Sequence, residues 1–215
     1  MSAPRFRVVT VAREYGSGGA AIATRLAARL GWELLDRALI ERIAEAARID
    51  PDLARRFDEH VDPWVKRIGR ALWYGGFDAV AVVDENDVVD GDRLAVLGGR
   101  VIEEAAKAGL CVIVGRGGQC LLRGRSDVFH VFVYAPREER LVRLRERLGP
   151  GAEVELVLEE TDRERAAYVR RHFGESWLEP RLYHLMVNAT VGEEAAVSAI
   201  LAALGAGAGL PAEAP

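Results

Sequence analysis

The sequence predicts an α/β fold in which a parallel β-sheet is flanked by helices. Short apolar runs alternate along the chain with segments whose apolar residues recur at helical spacing. This alternation is typical of parallel sheets, because two parallel strands need a helical connection between them. At 215 residues and 50% hydrophobic composition, the chain can bury one substantial core. We therefore expect a single domain over residues 1–204.

The first strand, the turn after it and the first helix follow one another directly. Phe6–Ala12 is rich in valine and suits a buried strand. It breaks into the glycine-rich segment Gly16–Gly19, after which apolar residues recur at helical spacing as far as Leu30. Gly31 is then placed to end the helix. The sequence thus predicts a strand, a glycine turn and a helix in immediate succession.

The glycine turn is a candidate anion-binding site. Glycines without a Cβ let backbone N–H groups turn towards an anion, and a helix N-terminus adds unpaired donors with partial positive charge. Gly16, Ser17, Gly18 and Gly19 are therefore candidates for binding the phosphates of a nucleotide. The same glycines also suit a tight strand-to-helix turn that binds nothing, and the segment alone leaves both readings open.

The turn departs from the common phosphate-binding pattern G-x-x-x-x-G-K-[ST]. In that pattern the lysine reaches the β- and γ-phosphates and the hydroxyl binds magnesium. With Gly18 as the second glycine, Gly19 stands at the lysine position and Ala20 at the hydroxyl position. The missing positive charge has to come from elsewhere, and Arg13 at the start of the turn is one candidate. Arg13 can instead be an exposed arginine at the end of a strand.

The other elements continue the alternation of strands and helices. Further strands are predicted at Trp32–Leu35, Leu110–Val114, Val128–Tyr134 and Leu185–Val187. Further helices are predicted at Arg37–Arg48, Arg93–Ala108, Arg137–Leu148, Glu153–Phe173 and Glu193–Leu204. Prolines and aromatic residues interrupt the rhythm and predict a helical insertion over about residues 50–98, and the small residues at 205–215 predict a disordered tail.

A second glycine turn, Gly115–Gly118, directly follows a predicted strand. Arg116 within it can bind a monophosphate through two parallel hydrogen bonds, or it can simply be solvated at the sheet edge. The long charged helix Glu153–Phe173 carries Arg163 and Arg165, which lie two residues apart and so point to different faces. For both of these arginines the alternative to phosphate binding is a solvated helix face.

Asp36 is the carboxylate of most interest in the sequence. It follows the predicted strand Trp32–Leu35 and precedes the predicted helix Arg37–Arg48. In this position it can orient magnesium-bound water or a phosphoryl acceptor, and it can equally cap the N-terminus of the helix. The sequence leaves these two roles open.

Composition narrows the remaining function classes. A net charge of −4 and a pI near 5.7 give no general attraction to nucleic acid or to an anionic membrane. No apolar stretch is long enough for a membrane span, and the first residues lack the apolar core of a signal peptide, so we expect a cytoplasmic protein. Cys111 and Cys120 have no histidine partners at metal-ligand spacing, and we expect reduced packing residues and no metal site.

Several separated segments, taken in order, resemble one family. Cytidylate kinases carry a segment of the type L-G-W-x-x-x-D-[ST]-G-A-x-Y-R, a G-R-D-x-G-T pattern and an arginine-rich lid helix. The corresponding segments here are Leu30–Arg42, Gly115–Cys120 and Thr161–Tyr168. Arg13–Gly19 matches the R-E-Y-G-S-G-G of the cytidylate kinase-like branch, and Trp177 with Tyr183–Ala189 is similar to its late signature. Over residues 6–203 the chain therefore resembles the cytidylate kinase-like family of nucleoside monophosphate kinases.

The resemblance implies a P-loop kinase-like fold with a helical acceptor-binding insertion and a lid over about residues 150–180. It implies ATP and Mg²⁺ as cofactors, with the donor phosphates held by Gly16–Gly19 together with Arg13. Arg42 and Arg116 are then the expected acceptor-binding residues. The expected catalytic residues are Arg163, Arg165 and Asp36.

Two function classes follow. The first is an ATP-dependent kinase that phosphorylates a small-molecule nucleoside monophosphate, CMP by family analogy. The second is a non-catalytic nucleotide- or phosphate-binding regulator, in which the anion site survives while the charge needed for transfer has been lost. An arginine placed on the transferring phosphate can be worth roughly 10³–10⁵ in rate, so one missing charge can separate binding from catalysis. The acceptor base and the oligomeric state are left open.

Overall fold

The computed structural model describes residues 6–36, 91–149 and 152–205, which form a parallel β-sheet with helices on both faces. The strands are β1 (Val8–Arg13), β2 (Glu33–Leu35), β3 (Cys111–Val114), β4 (Val128–Tyr134) and β5 (Leu185–Asn188). The helices are α1 (Gly19–Leu30), α2 (Gly91–Ala108), α3 (Gly118–Leu121), α4 (Arg137–Leu148), α5 (Val154–Phe173) and α6 (Glu193–Gly205). Short 3₁₀ helices at Pro180–Leu182 and Ala189–Val191 flank β5. The fold class predicted from the sequence is confirmed.

The strand order β2-β3-β1-β4-β5 puts β1 in the centre of a five-stranded sheet. Every neighbouring pair is parallel, with Val9 of β1 level with Val112 of β3 and Phe129 of β4. The carboxyl ends of the strands therefore meet at one edge, where open α/β sheets bind their ligands. Arg13 and Asp36, which stand at the ends of β1 and β2, lie along this edge together with the turn that follows β3.

Successive residues of β1 point to opposite faces of the sheet, and each face is covered by helices. Val9 packs with Leu26 of α1 and Ile200 of α6 on one face. Val8 packs with Ile102 of α2 on the other face. Burying an aliphatic side chain contributes roughly 1.5–3 kcal/mol, so both layers stabilise the central strand that leads into the first glycine turn.

Most element boundaries agree with the sequence, and the differences are local. β4 and α4 begin and end at the predicted residues, whereas α2 begins at Gly91, two residues before the predicted start at Arg93. The short helix α3 was not predicted, because four residues are too few to show a helical period. Residues 91–98, at the end of the predicted insertion, belong to α2.

Several predictions fall outside the described residues. These are the helix Arg37–Arg48, the predicted insertion as far as residue 90, and the tail beyond Gly205. They stay predictions. Among the helices that the structure does describe, none has both the length and the apolar character needed to cross a bilayer.

Candidate functional site

The glycine-rich turn between β1 and α1 bends at two glycines with a left-handed backbone conformation. Gly16 has a φ of +77° and Gly18 a φ of +83°. A Cβ at residue 16 would lie 2.9 Å from the carbonyl oxygen of Arg140, so the turn passes directly against α4. Residue 16 must therefore be glycine both for its conformation and for this close approach.

The side chain of Ser17 holds the turn together from within. Ser17 is fully buried, and its hydroxyl donates to the carbonyl oxygen of Glu14 at 2.8 Å while accepting from the N–H of Gly19 at 3.3 Å. Outside the turn, Nη1 of Arg143 donates to the carbonyl oxygen of Ser17 at 2.9 Å. The hydroxyl of Ser17 is thus used to shape the turn.

Several backbone N–H groups of the turn donate to no acceptor among the described residues. They belong to Gly16 and Gly18 and, in the first turn of α1, to Ala20 and Ala21. Unpaired N–H groups at a helix N-terminus carry partial positive charge and suit a phosphate group. The geometry of the turn is therefore that of an anion-binding site.

Arg13 occupies the side of the turn where the common loop pattern has its lysine. A Cβ at Gly19 would lie 2.6 Å from Cβ of Arg13 and 3.2 Å from Cβ of Val133. At the other end of the side chain, Nη1 of Arg13 lies where a Cβ at residue 115 would be placed. The half-buried side chain of Arg13 therefore runs from the first glycine turn to the second.

The second glycine turn carries Arg116 in a strained backbone conformation. The φ of Arg116 is +53°, in the left-handed region that costs an ordinary residue about 1–2 kcal/mol. Gly115 and Gly117 on either side share this conformation, with φ of +81° and +68°. The guanidinium carbon of Arg116 lies 5.7 Å from the ring centroid of Tyr168 on α5. Strain of this kind clusters at functional sites, and here it accompanies an arginine aimed at the predicted lid helix.

A cleft of about 220 Å³ opens between the end of β1, the second glycine turn and α5, and Gly16–Gly19 are not among the described residues that line it. Arg13, Arg116 and Arg165 line it from the end of β1, the turn after β3 and α5, and we call it the arginine cleft. Glu164 adds one carboxylate to the lining. Three guanidinium groups around a small cleft suit an anion with several charged oxygens, such as a phosphate.

Tyr168 and Trp177 also line the arginine cleft and form an aromatic wall in it. Trp177 is 6% exposed and packs edge-on against Phe132 of β4, with ring centroids 5.4 Å apart. Tyr183 donates its hydroxyl to the carbonyl oxygen of Trp177 at 2.7 Å. Burial raises the pKa of Tyr183, so this hydroxyl stays a protonated donor and fixes the wall in place.

The arginines of the predicted lid helix have different surroundings. The side chain of Arg165 is 25% exposed, and its Nη1 donates to the carbonyl oxygen of Arg13 at 2.6 Å. The side chain of Arg163 is 74% exposed and lies 3.8 Å from a carboxylate oxygen of Glu160. The structure thus brings Arg165 to the cleft and leaves Arg163 at the surface.

The remaining candidates from the sequence lie away from the cleft or outside the described residues. Asp36 is exposed at the end of β2 and is not among the described residues that line the arginine cleft. Arg42 falls in the part of the chain that the structure does not describe. Arg13, Arg116 and Arg165 are therefore the predicted basic residues that meet in one place.

A set of charged residues that sequence reasoning missed joins the glycine turn to α4 and α5. Arg140 of α4 has a side chain only 10% exposed and pairs with both Glu14 and Asp162. Asp162 also accepts a hydrogen bond from the backbone N–H of Tyr15 at 2.8 Å. The sequence predicts α4 as a helix of alternating charge and does not single out Arg140. A weak sign was the place of Arg140 four residues before Leu144, on the face that α4 buries.

The two cysteines are free thiols, Cys111 buried and Cys120 half-buried. Burial raises the pKa of Cys111 to about 12 and that of Cys120 to about 11. Both thiols are therefore protonated near neutral pH and are poor nucleophiles. Their surroundings agree with the packing role expected from the sequence.

Comparison with known families decides the assignment of the chain. The sequence profile of the cytidylate kinase-like family matches residues 8–191. The chain belongs to the cytidylate kinase-like family. In this cytidylate kinase-like protein the match runs from β1 to the 3₁₀ helix after β5 and so includes both glycine turns. The resemblance inferred from the sequence motifs is thereby confirmed.

Solved structures share the fold of this cytidylate kinase-like chain. An uncharacterised protein from Eubacterium ventriosum is 18% identical, with a TM-score of 0.66 over 92% of this chain and 97% of that chain. Shikimate kinase from Bacteroides thetaiotaomicron is 14% identical, with a TM-score of 0.50 and coverage of 92% and 97%. Among proteins with curated descriptions, none matches the sequence. The two solved structures show that the chain shares its fold with a shikimate kinase.

Proposed function

We propose that this protein is an ATP-dependent kinase that transfers a phosphoryl group to a nucleoside monophosphate, CMP by family analogy. The observation that carries the proposal is that Arg13, Arg116 and Arg165 line one cleft beside the glycine turn. Phosphoryl transfer asks a protein mainly to position the reactants and to neutralise charge on the transferring phosphate. The arginine cleft supplies positive charge at a site whose turn has no lysine.

The donor phosphates are expected at the glycine turn Gly16–Gly19. The N–H groups that donate to no described acceptor lie here, at the N-terminus of α1, and can donate to phosphate oxygens. Arg13 flanks the turn and extends to the second glycine turn, so we expect its charge to lie between donor and acceptor. Ser17 supports the turn through its internal hydrogen bonds.

The acceptor phosphate is expected at Arg116, and Arg165 in the same cleft is proposed to stabilise the transferring phosphoryl group. Both guanidinium groups line the cleft, and a planar guanidinium can bind two phosphate oxygens at once. Tyr168 and Trp177 offer an apolar wall for the rest of the acceptor. Arg42, which the family pattern assigns to acceptor binding, completes the proposed set.

Magnesium would reach this site with the nucleotide, because Mg²⁺ usually binds through substrate phosphates and keeps several of its waters. The turn itself offers no free hydroxyl ligand, since Ser17 is bonded internally and residue 20 is alanine. Within the described ranges no three histidine, cysteine or acidic side chains form a metal cluster. Asp36, at the same edge of the sheet, is the carboxylate we propose to orient water on the ion.

A non-catalytic nucleotide- or phosphate-binding regulator is the second candidate. It is favoured by Gly19 and Ala20, which stand where the common loop has its lysine and hydroxyl. In that case the turn would bind phosphate, and the charge in the cleft would not reach the transferring group. ATP would then bind tightly without turnover on any acceptor.

An assay of the purified protein with ATP, Mg²⁺ and each common nucleoside monophosphate tests the kinase proposal. Diphosphate formation is measured together with ATP affinity, for the wild type and for Arg116→Ala. We expect Arg116→Ala to lower turnover by about 10²–10³-fold, the usual effect of removing one transition-state donor. Arg123→Ala is the matched control, because Arg123 is an exposed arginine whose side chain pairs with Glu175 at 2.7 Å.

The outcomes separate the two functions. Turnover that is lost in Arg116→Ala and kept in Arg123→Ala supports the kinase. Tight ATP binding without turnover on any acceptor would contradict the kinase proposal and support the regulator. A protein that binds neither nucleotide nor inorganic phosphate would overturn both candidates.

A further inference from the structure

Asp162 joins α5 to two other parts of the fold. Its Oδ1 accepts a hydrogen bond from the backbone N–H of Tyr15 at 2.8 Å, and its Oδ2 pairs with Nη1 of Arg140 on α4. The same Nη1 donates to the carbonyl oxygen of Tyr15 at 3.4 Å. The glycine turn, α4 and α5 are therefore connected through one carboxylate.

Arg140 places a nearly buried positive charge at the centre of this contact. Its Nε lies 3.5 Å from Oε2 of Glu14, in addition to the pair with Asp162. Glu14 in turn accepts a hydrogen bond from the backbone N–H of Ala135 at 3.1 Å. A buried guanidinium has to be compensated by carboxylates, so Arg140 keeps Glu14 and Asp162 close to the turn.

Arg165 depends on the same contact for its position. Asp162 and Arg165 are three residues apart and share one face of α5, with Nη1 of Arg165 at 3.8 Å from Oδ1 of Asp162. The guanidinium carbon of Arg165 lies 5.5 Å from the ring centroid of Tyr15. Fixing Asp162 at the glycine turn therefore fixes where Arg165 points.

We propose that Asp162 and Arg140 are positioning residues that hold α5 against the glycine turn and thereby keep Arg165 in the arginine cleft. We call this contact the latch, and it consists of Asp162, Arg140, Glu14 and the backbone N–H of Tyr15. Its effect on turnover rests on the proposed phosphoryl transfer. The contact itself exists in the protein without ligand and can be measured independently of catalysis.

Hydrogen–deuterium exchange of the full chain without nucleotide tests the latch directly. Asp162→Asn removes the charge that holds both the N–H of Tyr15 and the guanidinium of Arg140. We expect exchange in peptides covering Tyr15–Gly19 and Thr161–Phe173 to rise by about tenfold, because charge-assisted hydrogen bonds are the strong ones. The matched control is Glu155→Gln, which breaks an exposed ion pair between α4 and α5, with Arg145, and leaves the turn untouched.

Steady-state kinetics add a readout that a merely structural role would not move. Asp162→Asn should lower kcat by about tenfold while KM for ATP changes by less than about threefold, because the donor turn is still formed. Arg140→Lys keeps the charge and should retain more turnover than Arg140→Met. A purely structural contact would lower the unfolding midpoint and leave kcat unchanged well below that midpoint.

The outcomes distinguish the latch from the proposed function. Exchange in Asp162→Asn that equals exchange in Glu155→Gln would overturn the latch, whatever the activity. A wild-type protein without turnover would overturn the kinase, and the exchange data would still decide the latch. Should Asp162→Asn fail to fold, Asp162→Glu moves the carboxylate by one methylene, and unchanged exchange at Tyr15–Gly19 in that variant would overturn the latch.

Discussion

At the scale of a single residue, the backbone conformation of Arg116 lowers the stability of the fold. Its φ of +53° is a conformation that glycine adopts freely and arginine does not. The flanking residues Gly115 and Gly117 have the same left-handed conformation. The strained backbone of Arg116 lowers the stability of the fold, but it places the guanidinium in the cleft. Such a trade between stability and activity is common at functional sites.

Two substitutions at this residue separate the backbone from the charge. Arg116→Gly and Arg116→Ala both remove the guanidinium, and we expect both to lose turnover. Arg116→Gly should be more stable than Arg116→Ala by about 1 kcal/mol, because only glycine tolerates this φ without strain. Urea denaturation measures the difference in the free energy of unfolding. Equal stabilities would contradict the strain at residue 116.

At the scale of elements, residue 16 of the glycine turn packs directly against the backbone of α4 and the side chain of Leu144. A Cβ at residue 16 would lie 2.9 Å from the carbonyl oxygen of Arg140 and 3.0 Å from Cγ of Leu144. On the same helix, Arg143 donates to the carbonyl oxygen of Ser17. The conformation of the turn therefore depends on the position of α4.

Gly16→Ala and Gly31→Ala test this packing as a pair. Both glycines have positive φ, +77° and +63°, but a Cβ at residue 31 would meet nothing within 4 Å. We expect Gly31→Ala to cost about 1 kcal/mol of stability from strain alone, and Gly16→Ala about 2–4 kcal/mol because α4 must also move. The midpoints of chemical unfolding give the comparison. Similar costs for the two variants would show that the contact with α4 is loose.

The elements that could be predicted are those whose signals are local. β4 and α4 were placed correctly because Pro136 separates an almost continuous apolar run from a segment with helical spacing, and Gly149 ends α4. The latch could not be predicted, since Asp162 and Tyr15 lie 147 residues apart and leave no periodic trace in the sequence.

For the candidate site, too, the sequence predicted the local features and not the long-range contacts. A run of glycines directly after a strand is visible in the sequence, so both turns and Arg116 within the second turn could be predicted. Spacing showed that Arg163 and Arg165 differ in orientation, but which of them reaches the cleft depends on how α5 packs against the turn. The burial of Arg140 was hidden for the same reason, because a charged helix looks solvated until its neighbours are known.

At the scale of the whole molecule, a buried histidine links stability to pH. His130 of β4 is 4% exposed, and its Nδ1 lies 2.7 Å from Oγ1 of Thr10. Its Nε2 has no hydrogen-bond partner among the described residues. Burial, together with the smaller effect of the neighbouring ring of His184, lowers the pKa of His130 from 6.5 to about 4.

The free energy of unfolding should therefore fall in acid. The unfolded chain takes up a proton on His130 near pH 6.5 and the folded chain only near pH 4, so this contribution is complete above pH 6.5 and is lost as the pH falls towards 4. At about 1.36 kcal/mol per pKa unit, the loss amounts to about 3 kcal/mol. Urea denaturation at about pH 4.5 and about pH 7.5 measures it.

Two variants assign this acid sensitivity to His130. His130→Gln should show a smaller difference in stability between the two pH values than the wild type. His172→Gln, on α5, should keep the wild-type difference, because that ring is only half-buried beside Tyr168, whereas His130 lies within the sheet. If His130→Gln showed the same difference in the free energy of unfolding between the two pH values as the wild type, the acid sensitivity would come from other groups.

Arg13 lies so close to Gly19 that the turn cannot hold side chains at both positions in this backbone conformation. A lysine at residue 19 needs a Cβ only 2.6 Å from Cβ of Arg13, which is closer than two such carbons can approach. Every residue except glycine has this Cβ, so a lysine at residue 19 requires glycine at residue 13 or a shift of the backbone. In sequence comparisons the two positions should therefore change together, with any side chain at residue 13 accompanied by glycine at residue 19.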